Sequence, residues 1–392
     1  MATGRASVSA SPLEIRAVKA VRSAAPTTVL ALGVFAAVRG AGVLVLTLGS
    51  WWAGRDPLRV LGLSWDSAWY LGIAAHGYGR TLMWPETGSI QSDYAFFPLY
   101  PALIRLVSAV LPGGLVPAGL LVAWVCAAVA AVGVYRVGER VIGPRAGLLL
   151  VGLWAALPHS VVLTLAYTEA LLAALAAWTL YALLRDRWLW AAGLAVLAGL
   201  TRPTGLAVAA AVSAMALYAV LVRGSRAPGV WVAGLLAPAG WAAYVLAVGV
   251  RTGDPVGGYF TVQRRWGSRF DFGQGALRSA ERVLTGGHVP LATTVTVVLL
   301  AAAGLLAVLL LLDRTPLPLL VYTGVLLVIA YGGAGFFESK PRFLLPAFPL
   351  LLPVAAVMAR ARPRTAVVVT AVLAGLGYGY GLYLLLVARV PL

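Results

Sequence analysis

Cysteine, histidine, lysine and acidic side chains are all scarce in this chain of 392 residues. The single cysteine, Cys126, lies inside an apolar run, which excludes disulfides and thiolate metal sites within the chain. The three histidines, His76, His159 and His288, show no ligand spacing, so no histidine-based metal site is expected. Only 11% of residues are charged, against about 25% in soluble domains. With 61% hydrophobic residues the chain cannot hide its apolar side chains in its own core, so lipid is its solvent. No strand, glycine-rich turn and helix follow one another in the pattern of a nucleotide-binding unit.

What is abundant is arginine. The formal net charge is +17, and of 30 basic residues only Lys19 and Lys340 are lysines. The cations sit at the ends of apolar runs rather than in a compact soluble domain, so nucleic acid is not a partner. A spanning helix needs about 20 apolar residues. Spans are expected near 27–48, 115–135, 146–158, 164–184, 188–200, 204–222, 229–250, 291–312, 316–334, 343–359 and 365–387. The fold class is therefore all-α and polytopic, with about eleven transmembrane helices in a single domain over 27–392, preceded by a basic cytoplasmic segment over 1–26 that is disordered or surface-lying.

Orientation follows from the short basic breaks. Arg136, Arg140 and Arg145, then Arg185 and Arg187, Arg223 and Arg226, Arg314, and Arg360, Arg362 and Arg364 fall in alternate breaks, with Arg5, Arg16, Lys19 and Arg22 ahead of the first span. This places the N-terminus in the cytoplasm and residues 51–112 and 251–290 outside, in the plasma membrane. Residues 97–111 are apolar but short, with Pro98, Pro101 and Arg105, and read as an interfacial helix.

The first outer loop, Trp65 to Pro101, is the first long polar break, and it gathers carboxylates and aromatics. Asp66 has two readings. It is a partly desolvated base beside Trp65, Trp69 and Tyr70, or a cap at the start of a helix. Glu169 lies among leucines near the outer end of a span, as a functional carboxylate or a first-turn residue stabilised by the helix dipole. Asp93 and Glu86 are loop carboxylates, for acceptor contact or plain solvation; His76 could meet a donor phosphate or simply sit at the interface. Arg202, in LTRPTGL, and Lys340 with Arg342, in SKPRFLL, sit at tight outer turns where cations could converge on a phosphate or snorkel to headgroups. Arg39, inside the first span, needs a partner, with Asp66 and Glu169 as candidates. Trp65, Tyr70 and Tyr94 suit either sugar stacking or an interfacial aromatic belt.

Six stretches, WDSAWYLGIAAHGY (65–78), AFFPLYPALIRL (95–106), LPHSVVLTLAYTEALL (157–172), LTRPTGL (200–206), TGDPVGGYFTVQRRWG (252–267) and SKPRFLLPAFPLL (339–351), follow one another along most of the chain. Together they resemble the GT-C membrane glycosyltransferases, and within them the PIG-V-type mannosyltransferases, as a bacterial member. The resemblance implies inverting transfer of mannose from a polyprenyl-phosphate-mannose donor to a lipid- or glycan-linked acceptor hydroxyl on the extracytoplasmic face. It puts the family's loop aspartate on Asp66 and its acidic residue after the span entry on Glu169, as catalytic residues. Its late basic residues fall on Lys340 and Arg342, which with Arg202 and His76 would bind the donor phosphate; Asp93, Trp65, Tyr70 and Tyr94 would serve the acceptor and sugar. No cofactor is expected, and the sequence neither calls for a divalent cation nor excludes one. The competing class is a transporter or flippase of a lipid-linked saccharide, which would favour mid-membrane polar residues and paired half-symmetry; no internal repeat is visible.

Overall fold

The computed structural model describes residues 12–83, 88–286, 288–388 and 390, with residues 12–26 as backbone only. Glu86 and Arg5 lie outside the described residues. The first helix begins at Pro12 and runs to Trp52, so it takes in part of the basic N-terminal segment.

Long apolar runs become helices because a backbone in lipid must satisfy its own hydrogen bonds. Among the described residues six helices are long and apolar enough to cross a membrane, or up to eight if two bent pairs are each one span. The six are Thr27–Trp52, Leu115–Ile142, Pro203–Leu221, Pro228–Thr252, Leu291–Leu312 and Pro363–Ala388. This does not confirm the expected count of eleven. The expected spans at 164–184, 188–200 and 316–334 are the short apolar helices Glu169–Leu183, Trp188–Gly199 and Leu317–Gly332. Hydropathy finds these segments but cannot see where turns shorten them.

The two bent pairs explain how the chain tolerates non-helical backbone at depth. Pro144–Ala156 turns by 85° into Pro158–Thr164, and Phe337–Leu344 turns by 76° into Phe348–Met358. Pro158 interrupts the first, Pro346 and Pro349 the second. The carbonyls freed by the breaks are recovered by buried side chains: Trp154 Nε1 donates to Leu345 O at 3.0 Å, Tyr322 Oη to Pro346 O at 3.1 Å, and Ser160 Oγ to Trp154 O at 2.6 Å. Each of these bonds prevents a several-kcal/mol penalty for an orphaned polar group in hydrocarbon.

Glu169–Leu183 is the central helix, buried along nearly its whole length against Leu115–Ile142 and Trp188–Gly199. It is only 15 residues long, and Glu169 stands at its N-terminus. Close packing elsewhere uses small residues. A Cβ on Gly138 would lie 2.8 Å from the Gly147 backbone, where Leu115–Ile142 meets Pro144–Ala156.

Residues 51–112 carry the helices Pro57–Leu63, Asp66–His76 and Leu99–Val110. The last of these, expected as an interfacial helix, is a short apolar helix that exposes Leu106 and Val110. Two short antiparallel strand pairs were not expected from the apolar pattern. Thr81–Met83 pairs with Ile90–Ser92 in register Leu82 to Gln91, and Arg269–Phe270 pairs with Gly333–Ala334. The second pair ties the loop 251–290 to the segment that leads into Arg342. There Gly335, at φ +82°, passes so close to Gly267 that a Cβ would strike its carbonyl.

Candidate active site

Four charged residues from four separate elements meet on one side of the molecule. Asp66 opens the helix Asp66–His76, directly after Trp65, whose φ of 43° is a left-handed value rare for a bulky residue. Glu169 opens the central helix. Arg202 stands just before the turn Pro203–Gly205, and Arg342 lies within the short helix Lys340–Leu344.

Arg342 is the joint. Its Nη1 donates to Asp66 Oδ2 at 2.8 Å, and its Nε lies 3.3 Å from Glu169 Oε1. The same Glu169 oxygen is paired with Arg202 Nη1. Arg202 Nη1 also reaches Thr168 Oγ1 at 3.5 Å, and Thr168 Oγ1 bonds Tyr70 Oη at 3.2 Å. The guanidinium of Arg342 lies 5.1 Å from the Phe343 ring centroid and 5.3 Å from that of Tyr167; Arg202 lies 5.4 Å from the Phe343 ring. These faces hold both cations in place with cation–π attraction.

Exposure separates the two carboxylates. The Glu169 side chain is 1% exposed and that of Asp66 25%. Glu169 is therefore enclosed between two arginines, whereas Asp66 faces open space. Nε of Arg202 is buried without a hydrogen-bond partner, whereas Nε of Arg342 faces Glu169 as an ion pair. The Tyr70 hydroxyl is pushed well above its ordinary pKa by burial first and by the negative charge of Asp66 second, so it stays a neutral hydroxyl.

These groups line a cavity of about 420 Å³. Its polar floor is Asp66, Arg202 and Arg342; its walls are largely aromatic, with Trp65, Trp69, Phe96 and Trp266. Trp69 stacks on Phe96 at 5.6 Å and 14°, and Trp266 meets Trp69 edge-on at 5.1 Å. The second loop closes this wall. Trp266 Nε1 donates to Ser92 O at 2.9 Å, and Gln263 Nε2 to Ala95 O at 3.2 Å.

Of the residues singled out in the sequence, Trp65, Asp66, Tyr70, Arg202 and Arg342 line the cavity, with Glu169 behind them. Five others stand elsewhere. Lys340 Nζ donates to Ala330 O at 2.8 Å, Gly333 O at 2.6 Å and Tyr331 O at 3.3 Å, closing the end of Leu317–Gly332. Asp93 is buried and accepts from the Gly79 and Arg80 amides at 2.9–3.1 Å, pinning the turn after His76. His76 is exposed at the far end of its helix. Tyr94 stacks on Tyr78 at 5.6 Å. Arg39 does not meet Asp66 or Glu169; it donates to Ala155 O at 3.2 Å, at the end of Pro144–Ala156. Gln263, Trp266 and Phe343 were not singled out one by one, though all three lie inside stretches that carry the family resemblance. Among the described residues no group of three or more His, Cys, Asp or Glu side chains gathers where a metal ion could be held.

No protein family matches the sequence, and no curated protein matches it. Among solved structures, the chain is similar to the oligosaccharyltransferase of Archaeoglobus fulgidus in complex with Zn and sulfate. The identity is 14%, 91% of this chain and 53% of that one are covered, and the TM-score is 0.52. It is also similar to ArnT from Cupriavidus metallidurans bound to undecaprenyl phosphate, at 15% identity, with 86% and 63% covered and a TM-score of 0.49. The chain spans about half the length of the oligosaccharyltransferase it matches. At this identity the likeness shows the fold: a polytopic helical membrane protein with the GT-C architecture.

Proposed function

We propose that this protein is a glycosyltransferase that moves a sugar from a polyprenyl-phosphate donor to an acceptor hydroxyl at the outer face of the plasma membrane. The family resemblance suggests mannose as the sugar. The observation that carries the reading is the meeting of two arginines and a partly exposed carboxylate in one aromatic-walled cavity. The GT-C architecture shared with an oligosaccharyltransferase supports it.

The chemistry divides among the residues. The donor's phosphate oxygens would meet the guanidiniums of Arg202 and Arg342, which stabilise charge as it develops on the leaving group. In doing so the phosphate competes with Asp66 for Arg342 Nη1. Asp66 is then released to face the acceptor. The acceptor O–H gives its proton to the Asp66 carboxylate, its oxygen forms the new bond to the anomeric carbon, and the bond from that carbon to the phosphate oxygen breaks with inversion. Polyprenyl phosphate leaves with the electron pair. Glu169 holds the two guanidiniums together, and Trp69 and Trp266 give the sugar apolar faces to lie against.

The test is reconstitution of the protein in liposomes with labelled polyprenyl-phosphate-mannose and a membrane-lipid extract as acceptor pool. A labelled product of inverted anomeric configuration is expected. Movement of intact labelled donor across the bilayer with no new product would replace this reading with that of a transporter.

A further inference from the structure

The second outer loop has two ends with different surroundings. One end, Gln263 and Trp266, builds the cavity wall. The other is the helix Gln274–Leu284, which packs against Leu291–Leu312. Asp271 starts this helix, accepting from the Gly273 amide at 3.0 Å and the Gly275 amide at 2.8 Å. Its one fully buried residue is Ser279, flanked by the partly buried Ala276, Ala280 and Val283, so its protein-facing side is made of small residues and one valine.

Its outward side is divided. At about 100° per residue, Leu277 and Leu284 share one line, and they are 71% and 83% exposed. Phe272, just ahead of the helix, is 85% exposed. Arg278 and Arg282 stand roughly 100–140° round the helix from Leu277, with Glu281 between the two faces. No soluble surface favours this combination of large bare apolar residues beside arginines. Continuity names the occupant. Seven residues after Leu284 the chain enters Leu291–Leu312, which exposes Leu291, Val298, Leu305 and Leu312 at intervals of seven, a stripe turned to lipid. A helix ending so close to that stripe, with an apolar line flanked by cations, matches a bilayer surface with anionic headgroups.

We propose that Gln274–Leu284 is a membrane-surface anchor. Leu277, Leu284 and Phe272 enter the headgroup–acyl boundary, while Arg278 and Arg282 meet anionic lipid phosphates. Because the strand pair of Arg269–Phe270 with Gly333–Ala334 lies between this helix and the cavity wall, the anchor sets the height of that wall above the membrane. The inference stands on the loop's own surface and does not depend on the transferase reading.

Nitroxide labels attached at Leu277→Cys, Leu284→Cys and Arg278→Cys, each in a Cys126→Ala background, test it in nanodiscs of phosphatidylglycerol and phosphatidylcholine. These side chains are exposed, so the substitutions leave packing intact. At 277 and 284 collisions with oxygen should exceed those with a water-soluble nickel chelate by at least about twofold, with the order reversed at 278. Equal chelate access at all three sites would overturn the anchor. In phosphatidylcholine alone, the label at 277 should become more accessible to the chelate. The Arg278→Gln/Arg282→Gln variant should lose that lipid dependence. Identical depth of the unsubstituted loop in both lipid mixtures would overturn the anionic-headgroup part.

Discussion

Arg342 donates to Asp66 at 2.8 Å across 276 residues of sequence, and this bond joins the last outer turn to the first. Both partners line the same cavity, and the second contact of Arg342, to Glu169, fixes its direction from behind. The cluster is formally neutral: two arginines, two carboxylates. In the proposed reaction a donor phosphate adds a negative charge to this cluster, and the carboxylate it would set free is Asp66, the more exposed of the two.

Glu169 is the member that cannot be removed cheaply. It is buried between two cations, and deleting one partner of such a set leaves uncompensated charge, at a cost of about 3–5 kcal/mol. Glu169→Gln is expected to lower the thermal unfolding midpoint in detergent sharply and to abolish activity with it. A stable, active Glu169→Gln protein would deny it the role of holding the arginines.

Arg342→Lys keeps the charge and loses the fork. A lysine presents a point charge on a flexible stem and cannot serve Asp66 and Glu169 together from two nitrogens. The donor KM is expected to rise about tenfold or more, the equivalent of roughly 1.4 kcal/mol, with the acceptor KM little changed. Steady-state kinetics with each substrate varied in turn separates the two.

Lys340 and Arg342 are two positions apart and predicted to differ in kind. Lys340 supplies three bonds to backbone carbonyls, so Lys340→Met should destabilise the protein by about 1.5–3 kcal/mol or more. Once folded, the variant should bind donor normally. A donor-binding defect in a fully stable Lys340→Met protein would contradict the placement.

Trp266→Ala opens the wall built by the second loop. It removes the bond to Ser92 O and the edge contact with Trp69. An aromatic pair contributes about 0.5–1.5 kcal/mol beyond its buried area, so kcat/KM for the sugar donor should fall while the rest of the fold persists. Circular dichroism and transfer kinetics on one preparation check both halves.

The apolar pattern makes the helices legible, and the polar interruptions make Asp66, Glu169, Arg202 and Arg342 stand out. Their meeting is not legible, because it depends on where helices stop. Glu169 reaches the two arginines behind the cavity only because Pro158 and the turns after it delay its helix. Lys340 and Arg342 look equivalent in SKPRF, yet two residues along a helix point in nearly opposite directions, one to a helix end and one to the cavity. Asp93 reads as a loop carboxylate and is in fact consumed by two backbone amides, a bond no spacing announces. Trp266 and Gln263 sit in a recognisable stretch, but only the closure of the second loop over Ser92 and Ala95 brings them to the site.

The most direct measurement compares Asp66→Asn with the unsubstituted protein for both donor binding and sugar transfer in the same liposomes. Asparagine keeps the shape at the helix start and cannot accept the proton. Transfer is predicted to fall by about 10²–10⁴-fold, while polyprenyl-phosphate-sugar binds as well or better, because Asp66 no longer competes for Arg342. Equal transfer rates in the two proteins would show that Asp66 only starts a helix and would contradict the account.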